Sequence, residues 1–269
     1  MRDGYTRAYL LPRPTETQTV LRAEVEVTPA PDTRAEHVDL FGNRVLHFGV
    51  HHTHDGLLID ATSEVVVESR VVEDGEPWEE VARRVVALRG GEALSVRPLA
   101  GSSPYVPLDR HGAQLRELAR EVFPPGRPIA EGTRELCQLI HSTFTFDRAF
   151  TDISTPLSVV LEARRGVCQD FAHVAAGCLR SLGLAARYVS GYLGSTPDDR
   201  PAVSHAWCSV WVPQQGWIDF DPTNGHLPAD RHVTVAWGRD YGDVTPVRGV
   251  VIGPASRQTL EVQVTVTRP

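Results

Sequence analysis

The chain has 269 residues, with 27 basic side chains against 34 acidic ones and a net charge of −7. Apolar residues make up 41 % and charged residues 23 %, the balance of a chain that buries a sizeable core. The acidic excess argues against a broad nucleic-acid face or a polybasic membrane anchor, and no apolar run approaches the roughly 20 residues of a membrane helix. Met1–Tyr5 has no apolar segment of the kind that opens an export signal. Four cysteines without a C-x-x-C pair do not make a disulfide scaffold or a zinc ribbon. A cytoplasmic location is therefore expected, with neither nucleic acid nor membrane as partner. Every basic side chain is an arginine; the chain has no lysine.

Residues 1–75 read as β. Thr19–Val27 alternates apolar and polar residues, as a half-buried strand does. Phe41-Gly42-Asn43 reads as a hairpin turn. Arg44–Val50 and Leu57–Asp60 flank a histidine-containing turn that ends in Asp55-Gly56, a tight-turn dipeptide. Thr62–Val72 is rich in β-branched residues. Several short strands with turn signals between them predict a small antiparallel sandwich. Residues 76–108 read as a short helix over Pro77–Leu88 followed by a linker, because Arg89–Gly91 and Pro98–Pro107 are rich in Gly, Ser and Pro.

From Asp109 the period becomes helical, and residues 109–269 are expected to form one unit with C-terminal strands. Leu115, Leu118, Ala119 and Val122 share a face, and Ala130–Phe144 and Leu157–Ala163 give two further amphipathic helices. Cys168–Leu182 is a strong helix with Phe171, Val174, Ala175, Cys178 and Leu179 on its apolar side and Gly183 as a natural stop. Ala186–Tyr192, Ala206–Val212, Trp217–Phe220, His232–Trp237 and Gln258–Thr267 then alternate as strands. The expected class is α+β: helices packed on an antiparallel sheet, preceded by the small sandwich.

Three polar residues stand at element junctions. Cys168 opens its helix, His205 opens a strand and Asp221 closes one. A thiol at a helix N-terminus meets unpaired N–H groups and the positive end of the dipole, which favour its anion. A histidine on a neighbouring strand can take the thiol proton and return it to a leaving amine. A carboxylate on the next strand can fix the imidazole tautomer. Cys137, Cys178 and Cys208 sit on apolar faces and read as core. His173 does not share a helix face with Cys168 and reads as packing. Asp170 in the first turn complements the dipole. His51, His52 and His54 flank a turn and read as a solvated hairpin rather than a metal site. No phosphate loop, dinucleotide fingerprint, zinc-protease or serine-elbow motif appears, so no cofactor and no metal are called for.

The segments G-V-C-Q-D-F-A-H (166–173), S-H-A-W (204–207) and G-W-I-D-F-D-P-T-N-G (216–225) resemble the nucleophile, histidine and aspartate motifs of the bacterial transglutaminase-like proteins, which have a papain-like core. The flanks T-D-I-S-T-P-L, R-Y-V-S-G-Y-L and R-H-V-T-V-A-W-G-R-D-Y are similar too. L-L-P-R-P and D-L-F-G-N in the first half resemble the β-domain that precedes the core in this group. Only about nine residues precede L-L-P-R-P, so the first strand of that domain is expected to be missing. The resemblance implies Cys168 as nucleophile, His205 as general acid and base, and Asp221, the residue before Pro222, as orienter in preference to Asp219. It implies that Trp207 shields the imidazole; beside it, Gln169 and Asp170, which flank the nucleophile in the first helical turn, are candidates for supporting or substrate-facing roles. The implied activity is acyl transfer through a thioester on a peptide or protein substrate, with hydrolysis by a cysteine peptidase or amidase as the leading expectation. Protein-glutamine gamma-glutamyl transfer is the alternative, and a silent peptide-binding module is a second one.

Overall fold

The computed structural model describes residues 3–194, 203–228, 230–252 and 259–267. The first part contains β1 (Asp3–Ala8), β2 (Gln18–Thr28), β3 (Thr33–Val38), β4 (Arg44–Val50) and β5 (Leu58–Val67). β1, β4 and β3 form one antiparallel sheet, and β2 pairs antiparallel with β5 in a second. Ala8, Leu46, Phe48 and Val50 of the first sheet pack on Val25, Val27, Ile59 and Ala61 of the second, which makes the small sandwich. In β2 the buried Val25 and Val27 alternate with exposed Glu24 and Glu26, the half-buried pattern read from the sequence.

Next come α1 (Trp78–Ala87), α2 (Gly90–Val96), a 3-10 turn (Arg97–Ala100), α3 (Leu108–Arg120) and α4 (Ile129–Thr143). β6 (Thr145–Phe146), α5 (Leu157–Ala163), β7 (Arg165–Gly166) and α6 (Cys168–Ser181) lead into the second sheet region. That region is β8 (Ala186–Leu193), β9 (Val203–Val212), β10 (Gly216–Phe220) and β11 (His232–Gly238), paired antiparallel in the order β10-β9-β8-β11. A last strand, β12 (Val247–Ile252), returns to pair antiparallel with β1 of the sandwich.

α6 is the centre of the larger core. Every residue from Asp170 to Ser181 is buried, as expected for a helix covered on all sides. It ends in paired bonds from Gly183 N–H to Arg180 O (2.9 Å) and Leu184 N–H to Leu179 O (3.2 Å), with Gly183 at φ +85°; only glycine adopts that backbone without penalty. Ala186, Cys208, Val210, Val212, Ile218 and Phe220 face the helices. By strand alternation and register, Arg187, His205, Trp207, Ser209, Trp217 and Asp219 lie on the opposite face of the sheet.

The sandwich is fastened to that opposite face. Asn43, fully buried, donates from Nδ2 to the Trp237 carbonyl (2.8 Å) and accepts from the Trp237 amide (2.9 Å) and from Arg13 Nη1 (2.5 Å). Gln18 donates from Nε2 to the carbonyls of Arg13 and Thr234, and its Oε1 accepts the Thr234 amide. Arg13 belongs to L-L-P-R-P and Asn43 to D-L-F-G-N, so these two segments join the sandwich to β11.

Five expectations differ from the structure. Leu57–Asp60 and Thr62–Val72 are not separate strands: Leu58–Val67 runs on as the single strand β5, paired along its length with β2. A strand does precede L-L-P-R-P, since β1 begins at Asp3 and takes its partners from β4 and β12. β4 and β5 do not form a hairpin across Asp55-Gly56. Both edges of β4 are already taken by β1 and β3, so β5 crosses to β2. Residues 89–107 do not act as a linker: α2 and the 3-10 turn form there, and Val96, Leu99 and Val106 are buried. Residues 259–267 form no strand despite their alternation, and Leu260 and Val262 stay exposed. Alternation produces a strand only where a sheet edge receives it, and none of the described residues pairs with this segment; Gln258 lies outside the described residues.

Gly191 on β8 leaves no room for a side chain. A Cβ there would stand 2.2 Å from the Val233 carbonyl oxygen and 2.5 Å from the Trp207 ring. Gly191→Ala is therefore expected to lower the free energy of urea unfolding by about 1–3 kcal/mol; an unchanged unfolding curve would contradict this packing.

Candidate active site

α6 begins at Cys168 because Val167 is extended (φ −116°, ψ −178°) and the Asp170 carboxylate folds back to accept the Val167 amide at 2.8 Å. The same Oδ2 accepts the Thr151 hydroxyl at 2.7 Å. Gly166 is required beside it, since a Cβ there would lie 2.6 Å from Asp170 Oδ2. Burial raises the pKa of Asp170 against the lowering effect of these two bonds. Asp170 thus secures the start of the helix and so positions the Cys168 backbone. Cys168 itself is half-buried and packs against the cluster that contains Tyr188 and Ala206. Being first in the helix, its amide has no helical acceptor.

Cys168 stands near enough to His205 to act on its imidazole. His205 is buried and bonds from Nε2 to Asp221 Oδ2 at 2.8 Å. Because Nε2 is committed to the carboxylate, Nδ1 is the ring atom left for the thiol. Burial alone would lower the His205 pKa; the hydrogen bond that it donates to Asp221, the neighbouring Cys168 sulfur and the charge of Asp221 outweigh burial and raise it to about 10.

Asp221 has no exposed surface. Its Oδ2 accepts from His205, from His232 Nε2 (2.9 Å) and from Asn224 Nδ2 (2.7 Å), and its Oδ1 accepts the amides of Thr223 (2.9 Å) and Asn224 (3.2 Å). Burial acts to raise the Asp221 pKa, but the bonds from the two histidines and Asn224 hold it well below the usual carboxylate range. The neighbouring Asp219 is engaged elsewhere. It accepts from Trp207 Nε1 (3.0 Å) and from the Ser209 hydroxyl. Trp207, fully buried, lies 6.0 Å from His205 between ring centres at 32° and covers the imidazole. Gln169 is half-exposed beside Cys168, away from this network.

His232 is the residue that the sequence reading missed. It stands at the start of β11, 11 positions after Asp221, and in sequence it looks like any residue at the edge of a strand. Burial lowers its pKa despite the pull of Asp221, so it is the neutral partner and its Nε2 carries the hydrogen that it donates. The one available signal was its place in R-H-V-T-V-A-W-G. Ligand atoms of His205, Asp221 and His232 lie within 4.8 Å of one another, so these residues could also surround a cation. Their ring nitrogens instead converge on one carboxylate oxygen, which is hydrogen-bond geometry.

The other candidates behave as packing groups. Cys137, Cys178 and Cys208 are buried, and burial pushes the thiols of Cys137 and Cys178 up. His173 accepts the Tyr241 amide at 3.1 Å and lies between the rings of Tyr105 and Tyr188; burial, with the charge of Arg180, lowers it to about 3. In the histidine-rich loop, Asp32 accepts the His51 amide (2.6 Å) and contacts His52 Nδ1 (3.2 Å), so these groups organise the connection between the two sheets. No described helix is long and apolar enough to cross a membrane.

Comparison with known proteins agrees with this architecture. Residues 116–222 match the model of the transglutaminase-like superfamily, and residues 1–66 match that of the bacterial transglutaminase-like N-terminal region. An uncharacterised protein of Mycobacterium tuberculosis is 38 % identical, over 98 % of this chain and 87 % of its own. A protein-glutamine gamma-glutamyltransferase of Pseudomonas aeruginosa is 37 % identical over 24 % of this chain and 11 % of its own length. The crystal structure of a candidate cysteine protease from Cytophaga hutchinsonii superposes with a TM-score of 0.72, at 22 % identity, over 93 % of this chain and 81 % of that one; it shares the fold.

The raised pKa of His205 makes a stability prediction. Imidazole held protonated to about pH 10, against 6.5 in the unfolded chain, contributes stability fully below about pH 6.5 and loses it as pH rises through 10. Asp221→Asn removes the carboxylate responsible. The stability gap between the native chain and D221N should be widest near pH 6.5 and narrow toward pH 10 in a urea series. A gap that stays level or widens over that interval would contradict the assignment.

Proposed function

The chain belongs to the transglutaminase-like superfamily, and on that premise we propose that it is a thiol-dependent acyl-transfer enzyme that hydrolyses peptide or amide bonds. The observation that carries this reading is the buried His205–Asp221 pair beside Cys168, the residue that opens α6. The Cys168 sulfur attacks the carbonyl carbon of an amide while its proton rests on His205. The carbonyl oxygen becomes an oxyanion, and the Cys168 amide at the helix start is one donor to it. Collapse of this intermediate breaks the C–N bond, and His205 delivers its proton to the departing amine. The thioester left on Cys168 is then attacked by water. His205 takes a proton from that water, the carboxylic acid leaves and the thiol is restored. Asp221 keeps the imidazole oriented and stabilises its charge throughout.

If an amine rather than water attacks the thioester, the same residues perform gamma-glutamyl transfer. The similarity to the Pseudomonas aeruginosa glutamyltransferase favours keeping this second reading. With no lysine in the sequence, such an enzyme could not cross-link itself through isopeptide bonds; the acceptor would come from another molecule. Hydrolysis leads because the sequence has no calcium-loop pattern and no large insertion with which to build an acceptor site.

Ammonia release from glutamine peptides, and cleavage of a peptide library, with and without a primary amine, tests both readings. Turnover by the native chain, absent in Cys168→Ala and not diverted by the amine, is the expected result; amine incorporation that outpaces hydrolysis would replace it with transfer. Asp221→Asn should fold yet lose about 10²–10⁴ in kcat, the scale on which an orienting carboxylate acts. Activity should follow a bell-shaped pH profile that belongs to the thiol–imidazole pair. Full activity in D221N would remove Asp221 from its role.

A further inference from the structure

Between the sandwich, α2 and the sheet face that points away from α6 lies a cavity of about 390 Å³. Cys168, His205 and Asp221 do not line it, although His232 and Asp219 do. Arg187 of β8 forms part of its wall and is only 6 % exposed. The Arg187 Nε donates to Ser209 Oγ at 3.1 Å. Its guanidinium carbon stands 3.5 Å from the ring centre of Trp237 and 4.5 Å from that of Trp217, so the two indoles cover the flat faces of the cation. The two terminal nitrogens, Nη1 and Nη2, meet no acceptor among the described residues, yet they are not sealed off from the cavity space.

Buried cations are normally paired, because desolvation without an acceptor is costly. The acidic groups nearby are already engaged or remote. Asp219 accepts from Trp207 and Ser209, Glu16 pairs with Arg70, and Glu68 is exposed at the rim. The indoles satisfy the faces of the guanidinium but not its edge. What the edge lacks is an acceptor entering through the cavity. The remaining wall is largely apolar, with Phe41, Val72 and Leu99, and at the mouth Leu40 and Leu94 are 89 % and 78 % exposed.

We propose that this cavity is a binding site for a small amphipathic monocarboxylate, whose carboxylate pairs end-on with Nη1 and Nη2 of Arg187 and whose apolar body runs along Phe41, Val72 and Leu99 to the exposed leucines. A carboxylate is flat and fits the slot between two indoles in the plane of the guanidinium, with two parallel N–H···O bonds. A phosphate is tetrahedral and would drive an oxygen toward a ring. It would also bring a second negative charge toward Glu16, Glu68 and Asp219, and of the described arginines in the wall Arg70 is already paired with Glu16, which leaves Arg187. The volume falls in the usual range for small-molecule sites, about 300–1,000 Å³. The site connects to the candidate active site on two sides, through Ser209, Asp219 and Trp207 and through His232 to Asp221.

The test is a binding titration of the full chain, independent of turnover. Decanoate below its micellar concentration, decanol and decyl phosphate serve as probes, read by tryptophan fluorescence and by calorimetry. Saturable one-to-one binding of decanoate is expected, with decanol and decyl phosphate weaker by about tenfold or more, the worth of a charged hydrogen-bonded pair. Arg187→Gln should abolish the preference for decanoate over decanol. Because that change also touches the stack on Trp217 and Trp237, Leu94→Asp at the exposed mouth provides a second variant; it should weaken decanoate binding without moving the unfolding midpoint. Equal binding of decanol and decanoate, tighter binding of decyl phosphate, or native affinity in Leu94→Asp would overturn the proposal, as would native selectivity in a folded Arg187→Gln.

Discussion

A carboxylate with no exposed surface sets the terms for the rest of the site. Ionised Asp221 can be tolerated in the interior only if its lone pairs are met, because an unpaired buried charge is strongly destabilising. Five donors meet it: one from β9, one from β11 and three from the turn that follows β10. Each donor fixes the element that carries it. The imidazole of His205 is thereby held at the height of the α6 N-terminus, where Cys168 stands. His232 completes the arrangement by donating to the same oxygen as His205, so the carboxylate lies between a histidine that is charged and one that is neutral.

The small sandwich takes part in this constraint from a distance. Its segments around Arg13, Gln18 and Asn43 grip β11 at Thr234 and Trp237, and β11 begins with His232. Trp237 is held between two guanidinium groups, Arg13 at 3.3 Å and Arg187 at 3.5 Å from the ring centre. Burial pulls Arg13 down to about 10 and Arg187 to about 9, and both remain cations near neutrality. The charges bear on opposite sides of one indole, and each needs its own acceptors. Arg13 has the Phe41 carbonyl and Asn43. Among the described residues Arg187 has Ser209 alone, and its side chain forms part of the cavity wall. The return of β12 to β1 ties the two parts of the chain together at the other side.

Much of this was legible in the sequence because it rests on local signals. The helix at Cys168 announces itself by apolar spacing and by Gly183 at its end; the strands around His205 and Asp221 announce themselves by alternation. The three polar residues fall at the ends of those elements, where side chains from different strands can converge. Choosing Asp221 over Asp219 needed the family motif; in the structure Asp221 meets His205, whereas Asp219 bonds to Trp207 and Ser209. What could not be read depends on contacts distant in sequence. His232 matters through a bond to a residue of the turn after β10, and its place in R-H-V-T-V-A-W-G is the one mark that it carries. The segment 89–107 looks like a linker by composition, yet Val96 and Leu99 find a core to enter. The alternation at 259–267 is as regular as that of β2, but among the described residues it finds no ladder to join. Arg187 reads as one arginine among 27 until the two tryptophans are seen on its faces.

The central claim is that Cys168 and His205 act as one unit held by Asp221. The rate of Cys168 alkylation by iodoacetamide at pH 6, followed by mass spectrometry of the labelled peptide, tests it most directly. The thiol should react rapidly in the native chain, and the rate should fall by about tenfold or more in a folded His205→Ala variant, since the sulfur then loses the base that takes its proton. Equal rates in the two proteins would contradict the account.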